Sequence, residues 1–262
     1  MEKSKKTTKK KNLNQRTKTK NNTVLDLGNS NIHWGIFQNN ALILSGTNPI
    51  EDISSLPWKT FKKYSSKIYY LTVNKIAEKK IKTLCKKHKI AVNKITKEIQ
   101  SIIKNTYTTL GDDRVFDLMG GINKYKNSPI IICNFGTATT ISACDKKHNF
   151  IGGLIKAGII SELKLLANST DLLPLIQINT NKITLQAQST KEAILGGVIT
   201  SNITLIKEFI QKIKDTTMKN PKIIFTGGNA SIISRYYKNY DLLDESLSLR
   251  GMNYFLNLSC AK

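Results

Sequence analysis

The chain has 262 residues, 40% of them hydrophobic, which is enough for one large core or two small ones. Its formal net charge is +23, from 41 Lys and Arg against 18 Asp and Glu. No apolar run approaches the roughly 18 residues of a membrane span and no apolar segment of a secretory signal stands at the start, so neither a membrane protein nor an exported one is expected.

Residues 1–22 carry nine of the basic residues and almost nothing apolar. They cannot bury enough surface to order themselves and are expected to form a disordered basic tail. Thr23–Leu27 predicts a strand, and Ile32–Phe37 a second one after a tight Gly28-Asn29-Ser30-Asn31 turn. Ala41–Ser45 extends this meander. The β-branched and aromatic run Lys67–Val73 predicts another strand. Ile76, Ile81, Leu84 and Cys85 fall near helical spacing among lysines and predict an amphipathic helix over Lys75–His88. The same spacing recurs from Asp113 to Tyr125. Pro129–Cys133 reads as a buried central strand, followed by strands at Ile141–Cys144 and Phe150–Ile155. Ser189-X-X-Glu192 forms a capping box that opens a long helix through Ile213. Lys222–Phe225 predicts a short strand, and Ile232, Ile233 and Tyr236 a helix after it.

Two segments share one pattern. Val24-Leu25-Asp26-Leu27-Gly28-Asn29-Ser30 and Ile132-Cys133-Asn134-Phe135-Gly136-Thr137-Ala138-Thr139 are each an apolar strand with a polar residue near its end, then a glycine turn. They lie about one small domain apart. A glycine after a strand lets backbone N–H groups approach phosphate oxygens. An acid at the strand end can position Mg²⁺ on those phosphates. Two such loops would grip ATP from both sides. The duplication predicts an α/β fold of two actin-like (ribonuclease H-like) domains, with the ATP cleft between them. The expected limits are 23–110 and 111–262. Thr226-Gly227-Gly228 reads equally as adenosine-binding backbone or as an ordinary strand-to-helix turn.

Gly111-Asp112-Asp113-Arg114 opens a helix. Acids in a first turn complement the helix dipole, which is a sufficient structural reason for them. In a kinase, one carboxylate there can accept the proton of the attacking hydroxyl, and the adjacent arginine can hold an anion. Cys85, Cys133, Cys144 and Cys260 are scattered without a CxxC pair and read as buried thiols of a reducing compartment. His33, His88 and His148 lack metal-ligand spacing. The basic excess is nearly all Lys, with Arg only at 16, 114, 235 and 250. A dedicated nucleic-acid surface uses more Arg and interleaved aromatics, so nucleic acid is not expected as a partner except through the tail.

The ordered set Asp-X-Gly-Asn, Gly-X-Asp-Arg, Gly-Thr-Ala-Thr-Thr, Gly-Gly-X-Ile, Ser-Thr-X-Glu-Ala-Ile, Thr-Gly-Gly and Leu-X-Leu-Arg-Gly-Met, spread over residues 24–258, closely resembles type III pantothenate kinase. The resemblance implies ATP-dependent phosphorylation of pantothenate in the cytoplasm, the first step of coenzyme A biosynthesis. It implies that Asp26, Leu27, Gly28, Asn29, Ser30, Asn31, Ile32 and His33 form the first ATP loop, with Asp26 near Mg²⁺, and that Thr137 contacts ATP from the second. Asp113 would be the catalytic base. Tyr107, Gly111, Asp112, Asp113, Arg114 and Thr190 would line the pantothenate site. The family works as homodimers, with Mg²⁺ and a monovalent cation, K⁺ or NH₄⁺. Its members carry Asp where this chain has Asn134, the cation ligand, so either a higher cation requirement or indifference to the cation is expected, and Asn134→Asp is expected to strengthen cation binding. Ala157 likewise stands where the family has Pro. The alternatives are an inactive relative acting as a regulatory or nucleic-acid-associated accessory protein, and a sugar or acetate kinase of the same superfamily.

Overall fold

Two five-stranded mixed sheets repeat one plan. The computed structural model describes residues 21–72, 74–95, 102–180, 182–217 and 219–259. Residues 1–20 of the expected tail, Val73 of the expected strand and Cys260 lie outside the described residues. The first sheet holds β1 (Asn21–Leu27), β2 (Asn31–Gln38), β3 (Ala41–Pro49), β4 (Lys67–Thr72) and β5 (Ala91–Lys94) in the order β3-β2-β1-β4-β5. The second holds β6 (Ile130–Phe135), β7 (Ala138–Cys144), β8 (Phe150–Ala157), β9 (Lys222–Thr226) and β10 (Leu242–Leu243) in the order β10-β9-β6-β7-β8. Read from the opposite edge, the second order is the first with each strand replaced by its counterpart. In both sheets the first three strands run antiparallel and the last two join in parallel.

The central strands β1 and β6 are buried almost throughout, as parallel pairing on one edge and helices on the faces require. Each breaks its apolar run at the penultimate residue, Asp26 or Asn134. Asp26 pairs across β2 with His33, and Asn134 across β7 with Thr140. The duplication therefore puts the two polar strand ends at equivalent points. β1 begins at Asn21, so two residues assigned to the tail belong to a strand; Asn22 is buried and its Nδ2 donates to Asn253 Oδ1 at 2.7 Å.

Helix α1 (Trp58–Tyr64) and α2 (Lys75–His88) flank the first sheet. Asn74 caps α2, accepting from the Ile76 and Ala77 N–H groups. Helices α4 (Ile159–Asn168), α5 (Thr190–Thr216) and α6 (Ala230–Tyr236) cover the second. By length and composition alone α5 would be long and apolar enough to cross a bilayer. Here Ile194, Val198, Ile199, Ile206 and Ile210 are spent on the second core.

Between the halves lie α3 (Asp112–Lys124) and α7 (Leu247–Ser259), packed on each other and sharing one core with residues of both sheets. Sequence patterning does not resolve α7, α4, α1, β5, β10 or the 3₁₀ turn Ile50–Ser55. α1, β5, β10 and the 3₁₀ turn are short, and tertiary contacts decide them; α4 and α7 are amphipathic helices that sequence reasoning missed.

Candidate active site

The turns after β1 and β6 meet. Gly28 N–H closes the first turn on the Asn31 carbonyl at 3.0 Å. Asn29, Ser30 and Asn31 stand exposed on it. Ser30 Oγ lies 3.1 Å from Thr137 Oγ1, so the two predicted phosphate loops touch across the halves. Leu27 and Ile32 differ from the other residues of the first loop: their side chains are fully buried in the first core, leaving only their main chain for a ligand. His33 Nδ1 lies 3.0 Å from Thr47 Oγ1, and burial lowers its pKa.

The second loop is braced from two sides. Gly158 N–H and Ser161 Oγ, at the start of α4, both donate to the Thr137 carbonyl. The turn Gly227-Gly228-Asn229 closes over it, with Asn229 N–H donating to the Phe135 carbonyl at 2.9 Å. Gly227 adopts a φ of 89°, and a Cβ there would sit 2.4 Å from Asn134 Oδ1.

Acids converge beneath the loops. Asp26 has its pKa pushed up to about 7, first by burial, then by the charges of Asp113 and Asp117. Asp113 sits in the first turn of α3 with its carboxylate folded back over Gly111, where an added Cβ would lie 2.4 Å from Oδ1. Asp117 is buried one turn further along α3. Burial pushes its pKa up to about 7 although Ser248 and Asn134 both donate to it. Sequence reasoning missed Asp117. The signal was available: it follows Asp113 by four positions and so shares its helix face.

A family model described as type III pantothenate kinase matches residues 23–212. The chain belongs to this family. A type III pantothenate kinase from Syntrophus aciditrophicus is 25% identical over 245 residues, covering 87% of this chain and 96% of the relative. Among solved structures, a conserved Baf family protein from Campylobacter jejuni aligns with a TM-score of 0.62 at 22% identity, covering 92% of this chain and all of its own. The activator of 2-hydroxyisocaproyl-CoA dehydratase from Clostridium difficile, solved with bound ADPNP, aligns with a TM-score of 0.52 at 12% identity, over 92% of this chain and 96% of that one. These structural likenesses carry the fold, two duplicated actin-like domains. The family carries the activity: the enzyme transfers a phosphoryl group from ATP to pantothenate, giving 4′-phosphopantothenate for coenzyme A synthesis.

The pantothenate kinase residues expected around the second substrate are brought together except one. Tyr107 is exposed, and its hydroxyl accepts from Arg114 Nη1 at 2.8 Å. Arg114 is not the free clamp that its place beside Asp113 suggests. It is buried, with Nε donating to Ser142 Oγ at 2.9 Å and Nη2 to the Ile141 carbonyl at 2.8 Å. With these three of its five N–H bonds used, it acts as a fixed positive charge rather than a swinging fork. Gly111 and Asp112 line the same helix start. Thr190 stands apart, exposed in the first turn of α5, where the Glu192 N–H donates to Ser189 Oγ at 3.3 Å. The other half of the predicted capping box differs: Glu192 accepts from the Gln188 N–H rather than from Ser189.

Proposed function

We propose that phosphoryl transfer takes place where the two loops meet, with Asp113 as the base that takes the proton from the pantothenate hydroxyl. The hydroxyl oxygen then bonds to the γ-phosphorus, the bond to the β–γ bridging oxygen breaks, and ADP leaves. The Ser30–Thr137 contact carries this reading, because it sets two glycine turns side by side above Asp26 and next to the start of α3. Gly28 N–H and Gly136 N–H close the two turns on the Asn31 and Ala138 carbonyls, and the backbone N–H groups of Asn29, Ser30 and Thr137 at the turn tips hold phosphate oxygens. Tyr107 and the helix start bind the acidic end of pantothenate, with the buried Arg114 behind Tyr107 as a fixed positive charge.

Oxygen donors at Asp26 and Asn134 suit hard cations, Mg²⁺ and K⁺ or NH₄⁺. Among the described residues no group of three His, Cys, Asp or Glu is arranged to hold a metal ion. A cation here would take its remaining ligands from phosphate and water, as nucleotide-bound Mg²⁺ does. Mg²⁺, when bound, supplies charge that offsets the transferring phosphoryl group. Asp26 would orient it, and Asn134 Oδ1 would offer a neutral acceptor beside the second loop.

The working unit is a homodimer. Edge strand β8 exposes Leu154 and Ile155, and Leu165, Leu172, Leu175 and Leu185 are exposed on the same half. A second copy laid against β8 would cover Leu154 and Ile155, and such pairing would let an exposed Thr190 reach a partner's substrate. The three described cysteines are unpaired, in keeping with a cytoplasmic enzyme.

The deciding experiment is Asp113→Asn. Turnover of pantothenate should fall by about 10²–10⁴-fold while binding of an ATP analogue stays near wild type. Near-wild-type turnover would remove Asp113 from this role and move attention to Asp112.

A further inference from the structure

Asn134 cannot be considered alone. Its Nδ2 donates to Asp117 Oδ2 at 2.7 Å, and Asp117 Oδ1 accepts from Ser248 Oγ at 2.6 Å. Only an amide can make the first of these bonds to an ionised carboxylate, since a carboxylate at position 134 has no proton to give. The bond also fixes which way the carboxamide faces. With Nδ2 on Asp117, Oδ1 points into the gap between the β6–β7 turn and Gly227, close enough that a Cβ on Gly227 would collide with it. Asn134 itself is only partly buried, and Oδ1 lies on the side of the second loop, 3.7 Å from where a Cβ on Gly136 would stand.

We propose that Asp117 is a positioning residue for the nucleotide site: it turns the Asn134 carbonyl oxygen toward the second loop and places behind it the carboxyl group that position 134 lacks. The two residues form one unit, an acceptor oxygen in front and a carboxylate behind. A monovalent cation or a phosphate-bound metal at the second loop would then meet a correctly oriented dipole, and its charge would favour ionisation of the carboxyl group behind it. This rests on assigning that loop to the nucleotide.

The pairing reverses the expectation drawn from sequence. Asn134→Asp does not restore a missing charge. It sets two carboxylates against each other at hydrogen-bond distance, and one of them must stay protonated or move away. Asp117→Asn has a different fault. Ser248 already donates to the oxygen of residue 117, so an amide there would turn its Nδ2 toward Asn134. The facing amides cannot both donate, and Asn134 is free to flip and present N–H groups to the loop. The exchange Asp117→Asn with Asn134→Asp repairs both. The amide, now on α3, would keep its oxygen on Ser248 and donate to the carboxylate, now on β6, so one carboxylate and one amide remain.

The test compares wild type, the two single variants and the exchange in binding a non-hydrolysable ATP analogue with Mg²⁺, titrated with KCl at constant ionic strength. Thermal melting without nucleotide is measured alongside. Each single variant should raise the analogue Kd or the half-saturating K⁺ concentration about tenfold. The exchange should recover to within about threefold of wild type. Asp117→Asn should also melt no lower than wild type, because it removes a buried charge rather than a bond to Ser248. Loss of binding together with a lowered melting temperature would make Asp117 a structural tie between α3 and α7 and overturn the proposal. So would an exchange no better than the worse single variant. If the wild-type protein itself failed to bind the analogue, the assignment of the loop would fall, and the proposal with it. Tight wild-type binding left unchanged by Asp117→Asn would sink the proposal alone.

Discussion

Asp26 gives up its proton less readily than a free carboxyl because the fold takes water away from it and places Asp113 and Asp117 nearby. Its folded pKa, about 7, lies above the unfolded value of 3.8. Between these values the native state binds the proton and the unfolded chain does not. Stability from this group therefore falls as pH rises through the window of about 4 to 7, and the full penalty is present above it. Asp26→Asn removes that penalty. In the ligand-free protein it should raise stability at pH 8 by on the order of 2–4 kcal/mol, change it little at pH 4, and abolish turnover. Melting curves at several pH values check this. Parallel wild-type and variant profiles would mean that Asp26 titrates normally. The buried charge is thus a cost to stability that the site retains for binding.

At the scale of elements, the site depends on how closely α3 and α7 cross. Gly251 of α7 lies over α3, and a Cβ added there would come within 1.9 Å of the Phe116 carbonyl oxygen and 2.9 Å of the Gly120 nitrogen. These are backbone atoms, so no side chain can swing aside. Gly251→Ala must push the helices apart, at a cost of roughly 2–4 kcal/mol. Because Asp113, Asp117 and Ser248 ride on these helices, turnover should fall with stability. Urea unfolding and pantothenate phosphorylation on the same sample measure both. A variant with wild-type stability and rate would show that the crossing has slack.

At the scale of the molecule, the first half is anchored from the far end of the chain. Asn22 of β1 donates to Asn253 of α7, and Asn253 Nδ2 donates to the Asn39 carbonyl at 3.1 Å. Deleting residues 2–20 should leave fold and turnover intact, while any salt-sensitive binding to nucleic acid should drop. Deleting residues 2–22 should in addition lower stability by about 1–2 kcal/mol, since it shortens β1 and breaks the Asn22 bond. Equal melting temperatures for the two truncations would show that the bond contributes nothing. The exposed apolar surface leads to a last prediction. The protein should run in solution at twice its 29.4 kDa chain mass, and Ile155→Asp on β8 should shift it toward monomer and weaken pantothenate turnover. Light scattering coupled to gel filtration decides this; a wild-type monomer would leave Thr190 without its proposed role.

What local pattern can encode was legible from residues alone. The repeated strand and glycine turn announced two α/β halves, the Lys75–His88 stripe marked its helix to the residue, and Gly-X-Asp-Arg marked the start of α3, because each depends on neighbours in sequence. The meeting of the loops at Ser30 and Thr137 followed from the duplication only as an expectation, since the distance depends on how two sheets pack. Asp117 stayed hidden as one more acid on a helix. Its meaning comes from Asn134 on β6 and Ser248 on α7, which are distant in sequence and adjacent only once the central helices cross. Packing of α3 against β7 turned Arg114 from a ready clamp into a buried charge held by Ser142 and the Ile141 carbonyl. Residue types and spacing thus determined which groups could do the chemistry. Only the tertiary structure decided which of them face one another, because hydrogen bonding and burial, and the pKa shifts they bring, belong to groups brought together in space.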